Sequence, residues 1–373
     1  MGQRKRGPEP GQRPGSPGFF ATTLPGLGIL LRQEIDANPD LEAVGDLSND
    51  GRADIVFFRM RRGARPDVTD LRLAEDVFVT LAESGSGGPK RVAESLVTRI
   101  GLEHGLSVWT RFVRHLNSSM SYRVIARVVD EGRFKRTELR AAVTTAVAAQ
   151  RPRWRVEDPA DLELWVLEHQ RARFVAGLRL SDKRMRQHGS GRETERRGAL
   201  RPVVAAAMVR LAGQTPGRVL DPCCGSGTML AEALSAGWEA VGSDLDPEAI
   251  TIARQNVPQA VVDRADVLEL PHEDATFDAV VSNLPFGRQF PVEDPARWRK
   301  WALAEMGRVT RPGGHVVVLM PPPVPRGLSG LNPAGSYPMR LLGVSTRIWV
   351  FHREVARDTP RLQHDQVTAA ARS

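Results

Sequence analysis

A chain of 373 residues is longer than one hydrophobic core usually organises, so two or three folded units are expected. With 41% hydrophobic and 26% charged residues it has the balance of a globular protein, and no apolar run approaches the ~20 residues of a membrane helix, which excludes a helical integral membrane protein. Lys and Arg number 52 against 44 Asp and Glu, for a net charge of +8 and a pI of about 10.2, the electrostatic footprint expected of a nucleic-acid binder.

The predicted elements begin after a polar leader, residues 1–18, rich in Gly, Pro and Arg. It lacks the apolar segment of a signal peptide and reads as disordered. Residues 19–90 alternate as strand (Phe19–Thr23), helix (Leu27–Ala37) and two strands (Ile55–Met60, Asp76–Leu81), a small α+β unit. The Gly/Ser/Pro stretch 84–89 is a break. Residues 91–182 form a second α+β unit: a helix Arg91–His104 with Val92, Leu96, Ile100 and Leu102 on one side, a strand Ser121–Val129, and an Ala-rich helix Glu138–Ala149 capped by Thr137. Strands Leu162–Leu167 and Phe174–Leu180 follow, around a turn at 168–171.

Between Arg171 and Arg201 ten Lys/Arg stand against three Asp/Glu, interrupted by Gly189, Gly191 and Gly198. The linker 183–201 is therefore either a solvated loop or a phosphate-contacting connector, with Arg184, Arg186, Arg196 and Arg197 as candidate RNA contacts. A helix Pro202–Leu211 opens the last unit, 202–354, with proline at its favoured first position. Strands are expected at 218–222, 239–244, 260–265, 277–283 and 315–320, with helices such as 228–236 and 247–256 between them. That alternation predicts a doubly wound α/β sheet. A terminal hairpin, 339–344 and 348–351, closes it, and residues 355–373 read as a disordered tail.

The motifs that carry chemistry all fall at strand ends of this last unit. In Val219-Leu-Asp-Pro-Cys-Cys-Gly-Ser-Gly-Thr228, Gly225 and Gly227 allow the backbone close to a ligand, and the helix after Thr228 offers free N–H groups to a carboxylate. Leu230 stands where a dinucleotide site would place a third glycine, which counts against NAD. Asp221 suits an ammonium group, so the pair of features fits the methionine end of S-adenosylmethionine. Asp244 can accept both ribose hydroxyls, while Asp246 is better read as a helix cap. Asp266, with Val267 beside it, can take the adenine amino group. Cys223 and Cys224, the only cysteines, lie inside this loop. Adjacent cysteines rarely bridge and no zinc spacing is present, so no metal is expected and a reduced, cytoplasmic chain is the default.

Ser282-Asn-Leu-Pro-Phe-Gly287 ends the fourth strand and speaks to the substrate. Methylating a planar exocyclic amine requires its lone pair to be freed from the ring. The Asn283 amide oxygen and the carbonyl beside Pro285 can accept its two N–H bonds, and Phe286 can stack on an extruded base. Catalysis is then chiefly proximity and orientation, with Asn283, Pro285 and Phe286 as the candidate catalytic set. Asn283 also borders the cofactor. Trp298 and Trp301, three apart on a charged helix, are expected to pack against the sheet, although a surface Trp could stack on RNA.

These strings resemble the THUMP-containing class I RNA methyltransferases that make N2-methylguanosine. Asn283, Pro285 and Phe286 match the form of the tRNA-modifying branch rather than the Asn-Pro-Pro-Tyr form of DNA adenine and protein glutamine methyltransferases. Phe19–Gly26 is similar to the opening of that family's N-terminal ferredoxin-like domain, and Ser121–Arg127, Asp161–Val166 and Ala176–Leu180 to a THUMP core. Arg197–Pro202 is similar to its linker. The resemblance implies a Rossmann-like catalytic domain over 202–354, an RNA-gripping unit at 91–182, S-adenosylmethionine as cofactor and a tRNA acceptor stem as substrate. Residues 320–339, short and rich in Pro and Gly, imply that the family's usual helix there is reduced. The alternatives are the same chemistry on ribosomal RNA, adenine-N6 or protein-glutamine methylation, and a non-catalytic RNA-binding module. Oligomeric state is not legible.

Overall fold

The structure, a computed structural model, describes residues 18–64, 67–116, 119–182, 185, 188, 200–286, 293–341 and 343–355. Two sheets organise it. The first has eight strands: β1 (Phe19–Thr23), β2 (Leu41–Asn49), β3 (Asp54–Met60), β4 (Asp76–Ser84), β5 (Ser121–Arg127), β6 (Arg155–Val156), β7 (Leu162–Gln170) and β8 (Arg173–Arg179). Their spatial order is β2-β3-β1-β4-β8-β7-β5-β6. The stretches 19–90 and 91–182, read from the sequence as separate α+β units, thus share one sheet, joined where β4 pairs antiparallel with β8 (Phe78 beside Arg179). Sequence alternation could not show this, because it reports which face a residue takes and not which strand lies next door.

Period-2 alternation places side chains on both faces of this sheet. Phe19, Ala21, Val77, Val79, Leu164, Val166, Ala176 and Leu178 point into a core built with helices α1 (Gly28–Ala37), α2 (Pro89–Leu96), α3 (Arg99–Phe112) and α4 (Arg136–Gln150). Phe20, Phe57, Phe78, Trp165, Leu167 and Val175 form a second cluster on the other face. Phe20 and Phe78 stack at 4.6 Å between centroids, and Gly177 makes room for them, since a Cβ there would fall 2.6 Å from the Phe20 ring. The sheet curls, so that its edges meet through side chains. Arg127 reaches Asp50 at 3.0 Å, and Ser48 lies 3.2 Å from both His169 and Gln170.

Three local expectations change. β2 carries no clear alternation (Leu41-Glu-Ala-Val-Gly-Asp-Leu-Ser-Asn49) and has a register shift between Val44 and Ser48, so its pattern is hidden. The helix expected over 91–104 is two helices, broken at Thr98, whose hydroxyl accepts the Gly101 N–H. The break changes the helical phase and leaves Ile100 exposed rather than on the apolar side. The next helix starts before Thr137: its first turn is closed by the Glu138 carboxylate accepting the Lys135 N–H at 2.7 Å.

The second sheet contains β9 (Arg218–Asp221), β10 (Glu239–Asp244), β11 (Val261–Arg264), β12 (Phe277–Asn283), β13 (Thr310–Met320), β14 (Leu331–Leu341) and β15 (Val344–Arg353), in the order β11-β10-β9-β12-β13-β15-β14. β9 to β13 run parallel and β15 antiparallel to β13. The closing hairpin β14–β15 is longer than its apolar cores suggested. Helices α5 (Pro202–Ala212), α6 (Thr228–Ser235) and α7 (Pro247–Asn256) cover one face. The other face, with Leu220, Val280, Val316 and Val318, packs against α8 (Pro295–Val309) through Ala302, Leu303 and Met306. This is the doubly wound α/β unit the alternation predicted.

The two sheets are held together through the loops and helices that flank them. Gly26, with φ of +96°, lies so near the hairpin that a Cβ would fall 2.1 Å from the Pro338 carbonyl oxygen. Arg72 reaches across to Glu232 on α6 at 2.7 Å, and His188 Nδ1 meets the other oxygen of the same buried carboxylate at 2.9 Å. Among the described residues no helix is long and apolar enough to cross a membrane.

Candidate active site

In a doubly wound sheet the carboxyl ends of the strands leave a crevice at the point where strand order reverses. Here the reversal lies at β9, between β10 and β12. The end residues of β10, β9 and β12 are Asp244, Asp221 and Asn283, and the chain leaving β11 reaches Asp266. At ~4.8 Å per strand these four positions span roughly 14 Å along one edge. All the expected cofactor and catalytic positions therefore fall on a single crevice.

The loop between β9 and α6 is shaped by its glycines. Gly225 has φ of +52°, and nothing lies within 4 Å of where its Cβ would be. Its missing side chain thus faces open space, as an approach for ligand requires. Gly227 differs. It precedes α6 in the left-handed conformation, φ +85°, and a Cβ there would meet Val257 at 2.9 Å. Its smallness serves the packing of α7 against the loop. The Asn256 amide donates to the Ser226 carbonyl at 3.0 Å and holds the loop from the same side. Thr228, buried, opens α6.

Asp244 accepts the Gly225 N–H at 2.9 Å with one oxygen and the Asp246 N–H at 3.0 Å with the other, so it locks the loop to β10. Asp246 caps α7 through the Glu248 N–H, as its position implied. The Asp266 carboxylate is exposed and accepts the Leu268 N–H at 2.9 Å within its own turn. Val267 is buried in the same apolar cluster as Leu220 and Leu284, with Cys223 against it, which gives the crevice an apolar floor. Burial pushes the thiols of Cys223 and Cys224 up, so neither is a ready thiolate at neutral pH.

Asp221 is the most perturbed acid of the site. It is buried, and its carboxyl is pushed up to about 7 by desolvation, against the lowering effect of hydrogen bonds from Ser282 and the Cys223 N–H. The Ser282 hydroxyl donates to it at 2.7 Å across the β9–β12 boundary. Ser282 was not singled out from the sequence. The sequence offers only a weak cue, a hydroxyl in the largely apolar strand Phe277-Asp-Ala-Val-Val-Ser-Asn283 one residue before the catalytic candidate; its full burial and its partner come from the fold. Among the described residues no Lys or Arg pairs with Asp221, so its charge has no cation within the chain.

Asn283 Oδ1 is buried and has no hydrogen-bond partner among the described residues, and the same holds for Ser243 Oγ on β10. An unpaired buried acceptor costs about 1–3 kcal/mol. That cost is recovered when a donor binds. Leu284 is buried and its N–H donates to Leu319, which fixes the turn to β13, while Pro285 and Phe286 are half-buried at the mouth. Phe286 belongs to none of the three core clusters of the described residues. Trp298 packs against the core as expected, but Trp301 is 49% exposed. Arg184, Arg186, Arg196 and Arg197 lie outside the described residues.

Comparison with known proteins agrees with this geometry. Residues 190–322 match the family model described as UPF0020, RMKL-like, methyltransferase domain. A demethylmenaquinone methyltransferase of Thermus thermophilus is 38% identical over 124 residues, which are 32% of this chain and 53% of that protein. The chain therefore spans about half the length of that relative. A tRNA (guanine(6)-N2)-methyltransferase of Thermus thermophilus is 28% identical over 327 residues, 80% of this chain and 88% of that one. The crystal structure of TrmN from Thermus thermophilus superposes with a TM-score of 0.68 at 25% identity, covering 90% of this chain and 99% of that structure. The strand order, the loop after β9 and the match over residues 190–322 make the carboxy-terminal unit of this chain a class I, Rossmann-like methyltransferase domain.

Proposed function

We propose that this protein is an S-adenosylmethionine-dependent RNA methyltransferase that forms N2-methylguanosine, with the acceptor stem of tRNA as its substrate. The observation that carries this reading is Asn283 Oδ1, a buried acceptor without a partner among the described residues, at the reversal point of a methyltransferase sheet. An exocyclic amine supplies the donor that this oxygen lacks. Similarity over four-fifths of the chain to a protein named as a tRNA guanine-N2 methyltransferase supports guanine and tRNA, whereas the demethylmenaquinone relative matches only a third.

The residues present fit the cofactor. Asp221 offers a buried carboxylate lacking a cation to the ammonium group, and the open side of Gly225 admits the chain of the methionine. Asp244 suits the ribose and Asp266 the adenine amine, with Cys223 and Val267 as the apolar floor. When bound, the cofactor supplies an electrophilic methyl group already activated by its sulfonium. This chain's residues then have positional work to do. Asn283 and the carbonyl beside Pro285 accept the amine's N–H bonds and turn its lone pair outward; Phe286 stacks on the base. Ser282 acts as a positioning residue through Asp221.

Residues 91–182 serve in this reading as the THUMP RNA-binding domain and 19–90 as the ferredoxin-like domain, while the 183–201 linker contributes Arg184, Arg186, Arg196 and Arg197 to phosphate contacts. The test is incubation with labelled S-adenosylmethionine and total RNA, followed by size separation and nucleoside analysis. Label in tRNA as N2-methylguanosine is expected. Label in ribosomal RNA would keep the chemistry and move the substrate, and no label in RNA from a cofactor-bound protein would refute the function.

A further inference from the structure

Trp301 breaks the rule that α8 otherwise follows. Ala302, Leu303 and Met306 on the inner side of that helix are fully buried, and Trp298 packs against the same core, yet Trp301 stands 49% exposed. The Arg297 guanidinium lies 4.3 Å from its ring centroid, one helical turn earlier. Arg297, Lys300, Trp301 and Ala304 are all exposed, at the spacing of one helix face. Neither Arg297 nor Lys300 pairs with a carboxylate among the described residues. The face therefore carries two cations and an aromatic ring braced on one side by Arg297, with the exposed Asp294 that caps the helix one turn below, its carboxylate accepting the Arg297 backbone N–H at 3.1 Å.

Its position matters as much as its chemistry. α8 follows the turn after Asn283, and its first half is tied to the crevice edge: Arg299 donates to the carbonyl of Pro321, just beyond the end of β13, at 2.9 Å. Asn283 and Leu319 are paired neighbours on β12 and β13, so Pro321 lies at the same edge as the candidate catalytic residue. The half of Trp301 that stays in solvent has no packing reason to be apolar. Stacking on a nucleobase gives one, because every base has a π-face and a neighbouring cation strengthens the contact.

We infer that the Arg297–Trp301 face of α8 is a second nucleotide-binding surface, on which a base flanking the methylated guanine stacks while Arg297 and Lys300 meet the adjoining phosphates. This rests on the proposed RNA substrate, and its occupant is RNA rather than a protein. A stacked neighbour would hold the strand open beside the extruded guanine, whose removal from a stem costs a few kcal/mol.

The experiment uses the full chain, bulk tRNA as probe and the variants Trp301→Ala, Trp301→Phe and Arg297→Ala/Lys300→Ala. Trp301→Ala is expected to raise the KM for tRNA about tenfold, with kcat at saturation and S-adenosylhomocysteine affinity unchanged. Trp301→Phe should restore the KM to within about twofold, which a loss of folding would not do. Removing both cations should lower the slope of log affinity against log salt by about 2. Quenching of tryptophan fluorescence by tRNA should shrink in Trp301→Phe. If wild-type protein methylates tRNA while Trp301→Ala keeps the wild-type KM and tRNA affinity, this inference fails and the proposed function stands. That outcome includes a face that serves a protein partner instead. If wild-type protein binds cofactor but methylates no RNA, the proposed function fails and the inference falls with it.

Discussion

The buried Asp221 carboxyl makes cofactor affinity depend on pH in a calculable way. Its carboxyl sits at about 7 in the ligand-free protein, well above the ~3.9 of an exposed aspartate. Burial raises the folded-state value, so the neutral form is favoured: the folded state is most stable, from this group's standpoint, below pH ~4 and loses that advantage as pH rises towards 7. Binding an ammonium group requires the charged form. At pH 7 about half the molecules carry it, and at pH 5.5 about 3% do, so Kd for S-adenosylhomocysteine should rise about fifteenfold between those values. The ligand's own ammonium stays protonated across this window, which keeps the comparison clean. Ser282→Ala removes the 2.7 Å bond that favours the charged form. A hydrogen bond to a charged group contributes about 1.5–3 kcal/mol, so the midpoint should move up by about one unit or more. Calorimetry from pH 5.5 to 7 on wild type, Ser282→Ala and Asp221→Asn measures all three curves, with Asp221→Asn flat. A wild-type Kd that does not change over this window would refute the assignment of Asp221 to the ammonium.

Three further outcomes are expected. Asn283→Ala should lower turnover at least about a hundredfold while cofactor affinity survives; kinetics beside calorimetry checks this, and a lost cofactor would remove Asn283 from its role. Asp244→Asn should weaken cofactor binding about 10–100-fold, and a thermal scan without ligand will show whether the loss is instead in the loop that Asp244 fastens through Gly225 and Asp246. Gly26→Ala places a methyl group 2.1 Å from the Pro338 carbonyl at a φ of +96°, which should cost about 3 kcal/mol from strain and overpacking together. Chemical denaturation reads it, and an unchanged midpoint would show that Gly26 and the hairpin do not meet at this point.

The methyltransferase half was legible because its chemistry sits where local pattern is strongest. Strand–helix alternation fixes which ends of the strands share an edge, so Asp221, Asp244, Asp266 and Asn283 could be gathered from the sequence before any pairing was known. Ser282 was missed because its partner is defined by β9 lying beside β12, a fact of sheet order and not of spacing. Gly227 was grouped with Gly225 as a ligand-facing glycine, yet the side-chain direction of one is filled by Val257 and that of the other is open. The exposure of Trp301 was hidden for a similar reason. Trp298 and Trp301, three residues apart, both lie near the boundary of the apolar stripe, and only the packing of α8 decides which falls inside.

The β4–β8 pairing reaches into how the chain is made. β4 is complete by Ser84, but its neighbour in the sheet is not synthesised until Phe174–Arg179. Until then β4 is an open edge beside the ring stack of Phe20 and Phe78, a template for pairing with other nascent chains. The early segment therefore has to wait on the ribosome for its closing strand, and slow translation between those points would lengthen the wait. A message that speeds synthesis of residues 85–173 should raise the soluble yield without altering one amino acid.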